Sequence, residues 1–403
     1  MGILNKDLSQ KQIPRDFVSR PVYDFTMQKY LFITVLFISL ISASISSAIE
    51  IQTNAKQAYI IDFETGSVLY KKNETQRMPT ASMSKVMTML AVFKALEDGR
   101  LKLDEELLVS EKAWRKGGSK MFVEVGKKIK VEDLIRGVII QSGNDATIVL
   151  AEALGGTEEA FGKKITELAH DIGMKDSNFV NASGWPDDRH YSTAKDLAIL
   201  ARHLIKTYPQ YYGYYSEPEF TFSDITQANR NPLLGKDIGG DGIKTGHTEE
   251  AGYGLIGSGH RDGRRVIMIL NGMESAKERK EESARLLDWS LRNFKNKQIF
   301  EEGQVLSHAD VVLGTKETLP LRVNESVFLT VPLASADEIT AEAVFDNPLI
   351  APIEEGARIG TVKISIPSYG QIEKPLFAAE TIKEPGFLQK TFAKFSLFLK
   401  QNL

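Results

Sequence analysis

Pro79-Thr80-Ala81-Ser82-Met83-Ser84-Lys85 places a serine and a lysine three residues apart where a helix begins. Val86, Leu90 and Phe93 come next at steps of three and four, marking one apolar face, and Gly99 supplies a stop. Side chains three apart on a helix lie one turn apart on a shared face. A serine hydroxyl is a poor nucleophile until a base takes its proton, and a nearby amine can do so if it is neutral part of the time. An unperturbed lysine, with a pKa of about 10.4, is almost wholly protonated at neutral pH, so burial or a second cation must lower it. Free N–H groups at the start of the helix offer a place for the oxyanion formed on attack.

Alone the pair is a weak signal, because a chain of this length holds about two Ser-x-x-Lys by chance; Ser192-x-x-Lys195 is the second here. The specificity lies in two triplets further along the chain. Ser142-Gly143-Asn144 sits in a polar junction between two apolar helical runs, residues 131–140 and 146–154. Lys244-Thr245-Gly246 sits in a strand-like run, residues 242–248, and Lys244 is the obvious second cation. Ser-x-x-Lys, Ser-Asp-Asn and Lys-Thr-Gly, in that order, are shared by penicillin-binding proteins and class A β-lactamases; here glycine replaces the aspartate.

With all three motifs in order, the chain resembles the low-molecular-mass penicillin-binding proteins, specifically the D-alanyl-D-alanine carboxypeptidases. The likeness runs through residues 79–85, 141–146 and 172–174 with Phe179, and on through 181–184, 191–197 and 242–248, so it covers about residues 50–295. Ser192 and Lys195 fall in a stretch outside the catalytic set and are read as structural. The resemblance implies that the penultimate D-Ala carbonyl of a wall peptide acylates Ser82, with Lys85 as general base and Ser142 relaying a proton to the departing D-Ala. Asn144 would hold Lys85 and the substrate amide, and Lys244 and Thr245 the terminal carboxylate. Gly246 would allow close backbone approach, and the N–H of His247 would complete the oxyanion hole with that of Ser82. Arg279 is read either as a second cation near the carboxylate or as a solvated helix charge beside Lys277, Lys280 and Glu281. β-Lactams are the expected covalent inhibitors, and no cofactor or metal is expected.

Of 403 residues, 50 are Lys or Arg and 53 Asp or Glu; a net charge of −3 leaves no basic excess for nucleic acid. With no cysteine there is no disulfide, thiol nucleophile or Cys-ligated metal. None of the serines lies in Gly-x-Ser-x-Gly, the six histidines form no His-Glu-x-x-His, and no Walker-type phosphate loop occurs. Trp185 and Trp289 are read as core or groove residues. A class A β-lactamase would carry Glu-x-x-Leu-Asn between the second and third motifs, and this chain does not. A D,D-endopeptidase of the same fold and a catalytically idle wall-binding module complete the set of rival functions.

A hairpin signal around Glu64-Thr65-Gly66, several helices, strand runs at 242–248, 253–258 and 266–270, and a helix over 275–294 predict an α+β fold. The architecture expected is a β-lactamase/transpeptidase-like domain, an antiparallel sheet with helices, over residues 49–298. A small all-β domain over 303–384 comes after it, with strand runs at 304–312, 319–330, 340–345 and 358–366. At the N-terminus, Lys29, the apolar run 30–41 and Ser46-Ser47-Ala48 read as a secretory signal peptide, too short for a membrane span. Residues 1–26 do not resemble its charged region, which leaves two possible starts, Met1 and Met27. In residues 386–403, Leu388, Phe392, Phe395, Leu399 and Leu403 form one helical stripe with Lys390, Lys394 and Lys400 between them. That pattern predicts a helix on the cytoplasmic membrane surface, with the active site on the periplasmic side.

Overall fold

The computed structural model describes residues 51–386 apart from Ser368; the expected leader and tail helix lie outside these residues. Strands β1 (Gln57–Asp62) and β2 (Val68–Lys72) form the expected hairpin. A 3-10 turn, Ala81–Ser84, leads into α1 (Lys85–Glu97). Next come β3 (Glu106–Leu108), α2 (Glu111–Arg115) and β4 (Lys128–Lys130), with β3 and β4 paired. Helices α3 (Val131–Ile139), α4 (Asn144–Gly155), α5 (Glu158–Asp171), α6 (Ala194–Thr207) and α7 (Pro209–Tyr212) precede a small hairpin of β5 (Glu219–Phe222) and β6 (Ile225–Ala228). Strands β7 (Gly240–Thr248), β8 (Gly252–Arg261) and β9 (Arg264–Met273) and helix α8 (Ala276–Arg292) close the domain.

The main sheet runs β2-β1-β9-β8-β7 with every neighbouring pair antiparallel, as the α+β reading predicts. Alternation along β9 sends Ile267 and Ile269 into one apolar cluster and Val266, Met268 and Leu270 into another, so both faces are covered. Helix α8 packs against β8 and β9, and α6 against β1 and β9. Helix α1 is buried on nearly every side, from Val86 to Ala95. A helix so enclosed has little amphipathic stripe, and its position is set by surrounding layers. Strand β7, which carries Lys244-Thr245-Gly246, is the sheet edge on the side away from β2.

The remainder is all-β: β10 (Phe294–Phe300), β11 (Val305–Val312), β12 (Thr318–Arg322), β13 (Val327–Pro332), β14 (Thr340–Phe345), β15 (Leu349–Ile350), β16 (Arg358–Ile366) and β17 (Gly370–Ala378). The order β14-β16-β17-β12-β11-β15 makes a six-stranded sheet, and β10 pairs with β13. The single run expected at 319–330 is therefore two strands in different sheets. Gln304 and Val323 are bonded through their backbones just past β12, where the chain leaves the six-stranded sheet. Asp62 and Arg264 make a buried ion pair at 2.8 Å where the two parts meet, and Asn296 donates to the same carboxylate at 3.3 Å. Thr65 and Thr330 join across the boundary through their hydroxyls at 2.6 Å, and Tyr369 donates to the carbonyl of Val68.

Candidate active site

Ser82 lies in the 3-10 turn, and α1 begins only at Lys85, so the expected placement of both residues inside one α-helix is corrected by one turn. The cause is local: Ala81 takes φ +46°, which bends the chain immediately before the serine. Gly184, at φ +77°, packs so tightly on this bend that a Cβ there would fall 1.7 Å from the Ala81 carbonyl oxygen. The turn nevertheless brings Ser82 Oγ to 2.7 Å from Lys85 Nζ.

Lys85 is fully buried, and its side-chain nitrogen has two further partners: Asn144 Oδ1 at 2.8 Å and the Ser183 carbonyl at 2.9 Å. Burial pushes its pKa well below the ordinary lysine value, and the neighbouring charges of Lys244 and Arg230 push the same way. A neutral amine has two hydrogens and one lone pair. With both hydrogens donated to Asn144 and Ser183, the lone pair faces the Ser82 hydroxyl, the arrangement needed to accept its proton.

Ser142 occupies the junction between α3 and α4 at φ +59°, a left-handed conformation that turns its hydroxyl toward β7. Lys244 donates to Ser142 Oγ at 3.0 Å and to its neighbour's carbonyl, Thr245 O, at 3.3 Å. Burial lowers the Lys244 pKa to about 7, helped by Arg230 and Arg279. Gly246 meets the nucleophile turn directly, since a Cβ there would lie 2.9 Å from the Thr80 carbonyl oxygen and 3.2 Å from the Met83 nitrogen. The His247 ring stacks on Tyr253, with centroids 3.9 Å apart. Arg279 turns away from the surface pair Lys277–Glu281 and donates to the Gly246 carbonyl at 3.3 Å. Ser82, Lys85 and Asn144 are thus one contact group and Ser142, Lys244 and Thr245 a second, coupled through their charges.

Several residues here have no role in the sequence reading. The Asp145 carboxylate accepts the backbone N–H groups of Met121, Phe122 and Val123 at 2.9–3.2 Å, tying the loop before β4 to the start of α4. Arg230 donates to Ser119 Oγ at 2.7 Å. His190 Nε2 lies 2.7 Å from Ser84 Oγ, which is bonded in turn to the Thr80 hydroxyl. The Val180 N–H donates to the His190 Nδ1 at 3.3 Å, which fixes Nε2 as the protonated nitrogen. Burial lowers the His190 pKa to about 4, so the ring is neutral near pH 7. Ser192 is buried against Ser177 at 2.7 Å and Lys195 is exposed, consistent with a structural reading of that second Ser-x-x-Lys. Among the described residues no group of three or more His, Cys, Asp or Glu side chains is placed to hold a metal ion.

Residues 43–275 match the family model described as D-alanyl-D-alanine carboxypeptidase, and residues 294–384 the C-terminal domain of penicillin-binding protein 5. The D-alanyl-D-alanine carboxypeptidase DacF of Bacillus subtilis is 33% identical over 350 residues, 86% of this chain and 90% of that protein. Among solved structures, penicillin-binding protein 5 from Haemophilus influenzae is similar with a TM-score of 0.72 and 35% identity, covering 83% of this chain and 99% of that one. The ampicillin-bound form of penicillin-binding protein D2 from Listeria monocytogenes is similar with a TM-score of 0.54 and 33% identity, covering 59% of this chain and 98% of that one.

Proposed function

Because the chain belongs to the D-alanyl-D-alanine carboxypeptidase family of serine peptidases, we propose that it removes the terminal D-Ala from peptidoglycan stem pentapeptides through an acyl-enzyme on Ser82. The observation that carries this assignment of roles is the set of three contacts at Lys85 Nζ, which leaves the lone pair of a neutral amine for the Ser82 proton. Ser82 Oγ attacks the penultimate D-Ala carbonyl as its proton passes to Lys85. The oxyanion forms beside the backbone N–H groups of Ser82 and His247, a pairing supported by the close approach of Gly246 to the nucleophile turn. Lys244, Thr245 and Arg279 receive the terminal carboxylate. As the C–N bond breaks, Ser142, hydrogen-bonded to Lys244, relays the proton held by Lys85 to the leaving amine, which returns Lys85 to its neutral form. Water then hydrolyses the ester to release the shortened peptide and regenerate Ser82.

A β-lactam presents its amide to the same serine, so the test is intact mass spectrometry of the purified protein mixed with a penicillin. A persistent adduct mapping to Ser82, absent from Ser82→Ala, together with D-Ala release from a stem-peptide analogue, is the expected result. Rapid loss of the adduct with drug turnover would mark a β-lactamase instead, and no adduct an idle binding module.

The same reading puts the enzyme at the periplasmic face of the cytoplasmic membrane, held there by residues 386–403. The sequence pattern supports this: an apolar stripe interleaved with three lysines suits an interface of acyl chains and anionic headgroups. Deleting residues 386–403 should move the protein from the membrane pellet to the soluble fraction, and retention in the pellet once the leader is removed would refute the anchor.

A further inference from the structure

We propose that Lys116 and Trp185 form a subsite for the third residue of the stem peptide, selecting a side chain that ends in a free carboxylate over one that ends in an amine alone. The proposal rests on the stem-peptide reading and extends it to the part of the substrate that remains on the enzyme.

The geometry begins at Lys85, whose contacts separate two sides of the site. On one side, Ser142, Lys244 and Thr245 gather at the place of the terminal carboxylate. On the other stand Asn144 and the Ser183 carbonyl. A peptide with its carboxylate at Lys244 and its scissile carbonyl at Ser82 must run its acyl portion out past this second side.

Two groups, Trp185 and Lys116, border that exit. Trp185 comes directly after Ser183-Gly184 and is 43% exposed, yet its backbone is fixed: its N–H donates to Asn181 Oδ1 at 3.0 Å and its carbonyl accepts from Asn181 Nδ2 at 2.9 Å. A large ring that is both exposed and rigidly mounted presents a flat apolar wall for methylene groups at little entropic cost. Facing it is the loop of Lys116 to Ser119, held by Asn144 Nδ2, which donates to the Gly117 carbonyl at 2.9 Å, and by the Asn144 N–H, which donates to the Ser119 carbonyl at 2.8 Å. Gly118, at φ +79°, is wedged between the two groups; a Cβ there would stand 2.7 Å from Asn144 Nδ2 and 3.2 Å from the Trp185 ring. Only glycine lets the loop lie this close, and the result carries the Lys116 ammonium to 4.2 Å from the centre of the Trp185 ring.

That ammonium is half-buried and forms no ion pair among the described residues. The nearest candidate carboxylate, Glu158, is held by Lys112 at 3.1 Å and by the Ala182 N–H at 3.3 Å. Burial lowers the Lys116 pKa more than the Glu158 carboxylate raises it, and Lys112 adds to the lowering, so an incoming anion would relieve an existing penalty. A side chain whose methylenes cross Trp185 and whose terminal carboxylate meets Lys116 satisfies both groups. An amine in that position meets the Lys116 charge, and the Glu158 carboxylate that acts on Lys116 is already paired with Lys112.

The test compares two stem-peptide analogues ending in D-Ala-D-Ala, identical except that the third residue carries either a diamino-dicarboxylic side chain with a free carboxylate or a lysine side chain. The ratio of their kcat/KM values is the readout, because any effect of the Lys116 charge on the chemistry at Ser82 cancels in it. The wild-type full-length protein should favour the carboxylate peptide by about five- to tenfold, the scale of a half-buried ion pair. Lys116→Gln should bring the ratio close to one, Lys116→Glu should invert it, and Trp185→Ala should lower kcat/KM for both peptides through KM. Equal rates with the wild type, or an unchanged ratio in Lys116→Glu, would overturn the subsite while leaving the carboxypeptidase reading intact. Failure to release D-Ala from either peptide would instead overturn the reading on which the subsite depends.

Discussion

At the scale of single residues, the decisive property of this site is that two lysines are buried near one another and each loses basicity. Acylation needs Lys85 neutral, so the rate should fall toward acid as Lys85 takes up a proton. Binding a carboxylate needs Lys244 charged, so with its free-enzyme pKa at about 7 the second-order rate for a penicillin should fall again on the alkaline side. In Lys244→Gln a cation beside Lys85 is lost; the protonated form of Lys85 is then less disfavoured, its pKa rises, and the acid limb moves to higher pH. The same variant should acylate about a hundredfold more slowly, the cost of leaving a carboxylate without its buried partner. Stopped-flow acylation over a pH series reads both effects, and an acid limb that stays in place would refute the coupling between the two lysines. Ser82, Lys85, Ser142, Asn144, Lys244, Thr245 and Gly246 were legible because spacing and chemistry are written into short local motifs. Ser183, Arg230 and the His190–Ser84–Thr80 chain were not. Each acts through a single carbonyl, charge or ring nitrogen brought from more than ninety residues away in the chain, which leaves no periodicity or spacing to read.

Among the elements, the 3-10 turn depends on a segment about a hundred residues later. Gly184 combines φ +77° with a neighbour that forbids any Cβ, so Gly184→Ala should destabilise the fold by about 2–4 kcal/mol and displace Ala81. Thermal unfolding together with the acylation rate checks this, and a variant that kept wild-type values for both would show the contact to be slack. Helix α3 could be read from apolar periodicity, since it buries one face, whereas α1 and α4, enclosed nearly all round, and the hairpin and the strand of Lys244 were legible from apolar runs bounded by turn and stop signals. The division of 319–330 could not be read, because a change of sheet is set by which strand the backbone meets next. Nor could the turn at Ser82: its helical register looks the same in sequence whether the first four residues close i→i+3 or i→i+4 bonds.

Across the whole molecule, one buried ion pair of the first part braces its boundary with the all-β part through Asn296 and the Phe294 carbonyl. Asp62 is wholly buried and also accepts the N–H groups of Glu64 and Thr65, while Arg264 reaches the carbonyls of Ser290 and Phe294 at the end of α8 and the start of β10. Asp62→Ala leaves a buried guanidinium without its counter-charge and should cost about 3–5 kcal/mol in denaturant unfolding; a loss below about 1 kcal/mol would mean that water or another group replaces the carboxylate. The order of the helix-rich and all-β parts along the chain was legible from texture alone, but this ion pair was not, since its two charged residues lie 202 positions apart. The main sheet has the same long reach. Strand β1 is among the first segments of the described chain, yet its inner neighbour is β9, whose residues are some two hundred positions downstream. A ribosome that has made the nucleophile turn, α1 and even the strand of Lys244 has therefore made a chain whose first hairpin still has one open flank. Closure must wait for Arg264–Met273 to emerge, so the nascent polypeptide stays unlocked through most of its synthesis, which is the condition a chain must keep if it is to be threaded through a narrow pore before it folds.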